Sequence, residues 1–317
     1  MSDLQADLVI AGSGGGPIDP GSAEGGAKSG GEAPPASPWR DAWKRFRRNR
    51  LAMVGLVLII LLVLCALGAN FIQRGLTHQD PTIGSINDFE TPSTAHYFGT
   101  DNTGRDIFTR VMFGARISLR VGFLSALVAT VIGVIAGAIA GFYGKWVDTL
   151  LMRTTDMFLA LPYIILAVVL VVVLGRSEAT VIGVIGFLGW MGTARIFRSS
   201  VLQVKEREFI EAARAMGCKD RRIIWRHVVP NAIQPVIAYS ATFIGTAVLS
   251  EAALSFLNVG AEDPTPAWGL MVYQAKGFLP QHPHQLFFPG LFILLMVAAF
   301  LFVGDGLRDA LDPRLNK

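Results

Sequence analysis

The stretch 51–71, LAMVGLVLIILLVLCALGANF, crosses 21 positions without a single charged side chain. At the α-helical rise it makes a rod of about 31 Å, matched to a hydrocarbon core of about 30 Å. Immediately before it lie Arg40, Lys44, Arg45, Arg47, Arg48 and Arg50, with Trp39 and Trp43 among them. The apolar run is longer than the core of a cleaved signal peptide, and the leading tail is too long for one, so it reads as an uncleaved anchor. Residues 1–38 are rich in Gly, Ser, Ala and Pro and repeat no apolar face. They read as a disordered tail.

The rest of the chain agrees with a bilayer as second solvent. Of 317 residues 52% are hydrophobic and 16% charged, with a mean hydropathy of +0.47; a soluble chain carries about a quarter charged residues. Five more apolar segments follow, at 119–142, 157–174, 180–196, 233–257 and 286–303. The fourth span, interrupted by Gly183, Gly186, Gly189 and Gly192, is the weakest. The expected fold is an all-α polytopic membrane protein with six transmembrane helices and both termini on one side.

Charge bias decides which side. With the N-terminus cytoplasmic, 21 of the 28 Lys and Arg residues fall on the inside, among them Arg195 at the inner end of span four. The positive-inside rule therefore puts both termini in the cytoplasm. The same distribution accounts for the sequence pI of about 9.2 without nucleic acid. Cys65 and Cys218 have neither the spacing of a metal site nor that of a disulfide framework.

Gly133, Gly137 and Gly141 recur every fourth residue and share one helix face. Such a face lets a neighbouring backbone approach closely; lining a pore is the second reading. Two glycine-rich passages in the tail are decoys. DLVIAGSGGG (7–16) is followed by Pro17 where a third dinucleotide-binding glycine belongs, and residues 21–29 place Ala27 where a phosphate loop needs glycine before lysine. Neither has the strand and helix that such a motif requires, so no nucleotide site is expected in this chain.

The loop between spans four and five is the most informative. It reads VLQVKEREFIEAARAMGCKDRRIIWRHVVPNAIQP over 201–235. Phe209, Ala212, Ala213 and Met216 fall at helical spacing, flanked by Glu206, Arg207, Glu208, Glu211 and Arg214. Gly217 suits the left-handed geometry that ends a helix. A second helix is predicted through Ile223 and Ile224 to Pro230. Physics leaves two roles open: a knob that docks into another protein, or an amphipathic helix lying on headgroups.

The pattern Glu211-Ala212-Ala213, Gly217, Ile223, Pro230 resembles the EAA signature of bacterial ABC importer permeases. The resemblance extends to FGTDNTGRDIFTRVMFGARISLRVG (98–122), DMFLALP (156–162), PTPAWG (264–269) and GDGLRDALDPRLNK (304–317), all similar to the C-type permease subunit of dipeptide and oligopeptide importers, a family that also covers nickel. It runs from about Trp39 to the C-terminus. It implies an inner-membrane subunit whose loop, with Glu211, Ala212, Ala213 and Gly217, couples to a separate ATPase. It also implies a B-type permease partner, two ATPase subunits that bind the ATP and Mg, and an extracytoplasmic solute-binding protein. The chain itself would hold no cofactor and catalyse no reaction.

The implied layout is a tail at 1–38, a basic anchor with the first span at 39–72, an extracytoplasmic loop at 73–118, and a permease core at 119–317 with its coupling loop near 199–232. Gly99-Thr100-Asp101 and Gly104-Arg105-Asp106 suit either turns or contact with a delivery protein. Trp268 suits an interfacial anchor. Glu251 falls inside span five, about 22 Å along the helix from Val236. A carboxylate there needs a partner, such as a base from another helix, or a water-filled path, which makes it a candidate for the translocation route. Asp148, Asp156 and Asp305 lie at inner ends, where a solvated or paired carboxylate is ordinary. A self-contained secondary transporter or channel would show internal repeats and charged midplane residues; only Glu251 qualifies. His78, His96, His227, His282 and His284 form no metal-binding or catalytic pattern.

Overall fold

A computed structural model describes residues 38–311. All but the last position of the tail expected at 1–38, and the final six residues of the C-terminal motif, lie outside that range. Every regular element among the described residues is helical. In chain order these are α1 (Pro38–Phe46), α2 (Arg50–Ile72), α3 (Ile107–Tyr143), α4 (Lys145–Leu159), α5 (Tyr163–Leu174), α6 (Glu178–Lys205), α7 (Glu208–Ala215), α8 (Asp220–Ile223), α9 (Val229–Ala232), α10 (Gln234–Phe256), α11 (Trp268–Ala275) and α12 (His284–Leu311). Five of them, α2 with its terminal π turn, α3, α6, α10 and α12, are long and apolar enough to cross a bilayer. A sixth crossing exists if α4 and α5 count as one span bent by 91°.

The second span starts a full three turns before its expected beginning. Asp106 caps α3, its Oδ1 accepting from Thr109 N at 2.7 Å. The following turns carry Arg110, Arg116 and Arg120, which disguise the helix from hydropathy. Each cation has a partner: Arg110, fully buried, donates to the Pro81 carbonyl at 2.8 Å. Arg116 donates to Asn70 Oδ1 and the Leu67 carbonyl of α2 at 2.9 and 3.1 Å, and Arg120 lies 3.1 Å from Glu178.

The third span differs more. The run 157–174 is apolar throughout, yet Pro162 stands at its break and serves as N-cap of the 12-residue α5. Proline disfavours helical geometry in the residue before it and supplies no N–H of its own. The preceding α4 is instead pinned to α6 by two ion pairs, Asp148 with Arg198 and Asp156 with Arg195 at 2.5 Å.

The fourth span, expected to be the weakest because glycines interrupt it, is the best buried: 61% of its apolar window is enclosed, against 22% for α2 and α12. Three of its four glycines, Gly186, Gly189 and Gly192, are seats for neighbours. A Cβ on Gly186 would meet Val128 at 2.7 Å, and one on Gly189 would meet the Phe243 ring at 2.1 Å. The glycine stripe of α3 faces the same helix. A Cβ on Gly133, Gly137 or Gly141 would come within 2.5, 2.6 and 2.8 Å of Thr193, the Ala194 carbonyl and Val201. Packing is therefore what the stripe does, and α3–α6 is the main helix pair of the fold.

The motif GTDNTGRD folds as a buried turn. Asp101 Oδ1 accepts from the backbone of Thr103 and Arg105 at 2.9 and 3.0 Å, and its Oδ2 accepts from Arg105 Nε at 2.8 Å. Arg105 also reaches Asp263 Oδ1 at 2.7 Å, across to the segment after α10. Burial raises the Asp263 pKa, but hydrogen bonds from Arg105 and Gln274 outweigh it, leaving the carboxyl below its ordinary value. Its contribution therefore holds above the usual carboxylate range and fades only as pH falls through the lowered value. Trp268 is not an interfacial anchor: it is fully buried, its Nε1 donating to the Val111 carbonyl at 2.9 Å. The room comes from Gly114, where a Cβ would sit 2.4 Å from the indole.

Candidate functional site

The segment after α6 is built to hold one short helix at a fixed pose. The chain breaks at Glu206 and Arg207, and α7 starts with Glu208 and Glu211 in its first turn and ends with Arg214 in its last, charges that suit the helix dipole. Its end is a Schellman motif: Cys218 N donates to the Ala213 carbonyl at 3.1 Å, and Gly217 N to the Arg214 carbonyl at 2.9 Å. Gly217 takes φ +77°, which a residue with a side chain adopts only at a cost. Nothing lies within 4 Å of the Cβ it lacks, so the backbone turn is what asks for glycine.

One face of α7 points inward. Ile210 and Ala213 are buried against Phe142, Phe197, Val201, Ile223 and Val228. Arg214 and Lys205 both cover the Phe142 ring, at 5.3 and 5.8 Å, and Lys205 Nζ donates to the Phe142 carbonyl at 2.6 Å. The opposite face carries Phe209, Glu211, Ala212 and Met216, all exposed. The apolar face expected from spacing is thus two faces: Ala213 packs on the protein, while Phe209, Ala212 and Met216 form an outward stripe. The second helix also differs from expectation. It runs as α8, a π turn over Ile224–Val228 and α9, continuing past Pro230 to Ala232.

A groove of about 730 Å³ borders α7, lined by Val204, Arg207, Glu208, Phe209 and Asn231. Val204, Arg207 and Asn231 also line a cleft of about 750 Å³ between α6, α10 and the end of α12. Asp305 lines that cleft too.

Glu251 is far from this loop, in the last two turns of α10, and 2% exposed. Its partners are hydroxyls: Ser255 Oγ donates to Oε1 at 2.8 Å and Ser118 Oγ, from α3, to Oε2 at 3.3 Å. Both serines are themselves fully buried. No ion pair joins Glu251 to a cation among the described residues. The carboxyl lines a cavity of about 210 Å³ whose wall includes Arg176, Glu178 and Glu262. The sequence had no means of finding Ser118, which lies 133 positions away.

Membrane-length helices packed with a glycine-seated pair, and a short amphipathic helix on the loop between α6 and α10, define a multi-span helical membrane protein. The chain belongs to the family of binding-protein-dependent transport system inner membrane components, which it matches over residues 133–317; residues 37–87 match the N-terminal transmembrane domain of oligopeptide transport permease C. It is 43% identical to the dipeptide transport system permease protein DppC of Alkalihalophilus pseudofirmus, over 88% of this chain and 91% of that one. It is 42% identical to the oligopeptide transport system permease protein OppC of Bacillus subtilis, over 89% and 91%. An inward-facing form of the MetNI methionine ABC transporter shares the fold, with a TM-score of 0.52 and 23% identity over 63% of this chain and 96% of that one. The chain is thus a permease of a binding-protein-dependent ABC importer, a transport subunit and not itself a catalyst.

Proposed function

We propose that this permease imports short peptides across a bacterial inner membrane, with both of its termini in the cytoplasm. The similar proteins are named for dipeptide, oligopeptide and glutathione transport, and all three solutes are peptides. The inside excess of Lys and Arg supports the orientation. In this reading a B-type permease completes the channel, a solute-binding protein delivers the peptide from outside, and two ATPase subunits bind ATP with Mg. This chain holds no nucleotide. It turns motion at α7 into rocking of the helices.

The observation that carries the reading is the outward stripe of Phe209, Ala212 and Met216 beside Glu211, on a helix whose other face is fastened to α3 and α6. A helix clamped on one side transmits force from whatever grips the other. Co-purification tests it. Glu211→Lys, and separately deletion of 209–224, is expected to lower the ATPase recovered with the chain by about tenfold, a loss of ~1.4 kcal/mol. Undiminished ATPase recovery with both changes rules the coupling role out.

Glu251 supports a second part of the proposal, a place on the translocation route beside its cavity. Glu251→Gln keeps the shape and a hydrogen-bonding group for Ser118 and Ser255 while removing the charge. Uptake is expected to fall about tenfold with normal assembly, a barrier change of ~1.4 kcal/mol. Normal uptake by the assembled variant removes Glu251 from the route.

A further inference from the structure

Helix α1 does not continue the axis of α2. The chain turns at Arg47 and Arg48, and Asn49 recaps the helix by accepting from Ala52 N at 3.2 Å. Phe46 folds back into a pocket formed with Ala52 and Ala310 and is 3% exposed. Gly306 of α12 makes the space: a Cβ there would lie 2.3 Å from Ala52 Cβ and 3.1 Å from the Phe46 ring. Asn49 Nδ2 adds a long contact to Asp309 at 3.5 Å. The apolar side of α1, Ala42 and Phe46, is therefore used up on the protein.

The remaining side is cationic and ordered by that docking. Arg40, Trp43 and Lys44 are exposed and lie three and four residues apart, so they share one face, and Arg47, exposed in the turn that follows, is held beside it by donating its N–H to the Trp43 carbonyl at 3.0 Å. Arg48 and Arg50 are exposed beyond its end. Asp41 is the one acid among the thirteen residues 38–50, against six bases. Trp43 stacks on Phe46 at 5.7 Å, which fixes it in the centre of the face. Its place is set by the membrane: the uncharged run of α2 begins one residue after Arg50, so α1 lies at the hydrocarbon edge, where Trp is an interfacial residue and cations meet headgroups.

We propose that the Arg40–Trp43–Lys44 face of α1, with Arg47 beside it, is a binding site for anionic phospholipid headgroups. The phosphates pair with the three cations while the indole enters the headgroup layer. The bound lipid clamps α1 on the end of α12. This is a different use of the bilayer from an amphipathic helix that floats by its apolar face, because here that face is occupied by protein and charge alone selects the lipid.

The test reconstitutes the full chain in phosphatidylcholine vesicles containing acyl-brominated lipid, which quenches nearby indoles. The signal of Trp43 is the difference between the native chain and Trp43→Phe. Brominated phosphatidylglycerol is expected to quench Trp43 at lower mole fraction than brominated phosphatidylcholine. In the R40Q/K44Q double variant the half-quenching fraction should rise at least about fivefold, and high salt should do the same. The double variant keeps Arg45, Arg47, Arg48 and Arg50, so the charge bias that orients α2 survives. The charge-preserving R40K/K44R pair should follow the native curve. Coincident curves for the two lipids at low salt, as expected were an acidic protein the true partner, overturn the proposal. So does a double variant that follows the native curve, or a charge-preserving pair that shifts as far as the double variant.

Discussion

Ala212→Leu is expected to abolish uptake by the assembled transporter while leaving the thermal stability of the chain unchanged. Ala212 is exposed on the outward stripe of α7, where extra methyl groups meet only solvent in the isolated chain. Surface changes of this kind alter stability by less than about 0.5 kcal/mol. In the proposed coupling role the same bulk enlarges the surface that would meet the ATPase. The adjacent Ala213→Leu should do the reverse. Ala213 is 2% exposed and touches the cluster around Ile210 and Phe197, so overpacking should cost about 1–3 kcal/mol and lower the melting temperature. Uptake in proteoliposomes and melting in detergent separate the two. Equal loss of stability in both variants would show that α7 has no free face.

Gly137→Leu is expected to have the largest effect on folding of any single change considered. A Cβ alone at Gly137 meets the Ala194 carbonyl at 2.6 Å and Phe197 Cβ at 3.0 Å. The nearest obstacle is backbone, which has no rotamer by which to retreat. Adding the rest of a leucine forces α3 away from α6 and opens the seats at Gly133 and Gly141 too. A loss above about 3 kcal/mol follows from overpacking a close-packed pair, and the yield of folded protein should collapse. Gly183→Leu is the control, since nothing lies within 4 Å of the Cβ it lacks; its yield and melting temperature should match the native chain. Normal folding of Gly137→Leu would mean that α3 and α6 can separate freely.

Much of this was legible in the residues, for identifiable reasons. Hydropathy located five of the six expected spans because lipid tolerates so little else, and the four-residue glycine spacing pointed first to a close helix pair because it clears one face of a helix for a neighbour. The left-handed end at Gly217 was readable for the same kind of reason. What hydropathy missed had compensation hidden in it. The start of α3 looked too charged, because the partners of Arg110 and Arg116 sit in distant segments. The break before α5 lay in plain sight at Pro162, masked by an unbroken apolar run on both sides. Trp268 looked like an interfacial residue until Gly114, some 150 positions earlier, was found beneath it. Glu251 was recognisable as a costly group, but which groups satisfy it depends on the register of α3 against α10, and that is a property of packing.

The brevity of α5 has a mechanical consequence. Twelve residues reach about 18 Å, well short of a hydrocarbon core of about 30 Å. Its exposed side, with Ile165, Val169, Val172 and Val173, is nonetheless apolar along its length. Around a lone copy of the chain the acyl chains beside α5 must shorten or tilt to meet it, an elastic deformation costing fractions of a kcal/mol for each ångström of mismatch. A second protein laid against that side relieves the deformation without needing a single specific contact. Bilayer stiffness then acts as an assembly force on this subunit, one that grows with membrane thickness and is set by lipid composition as much as by either protein's surface.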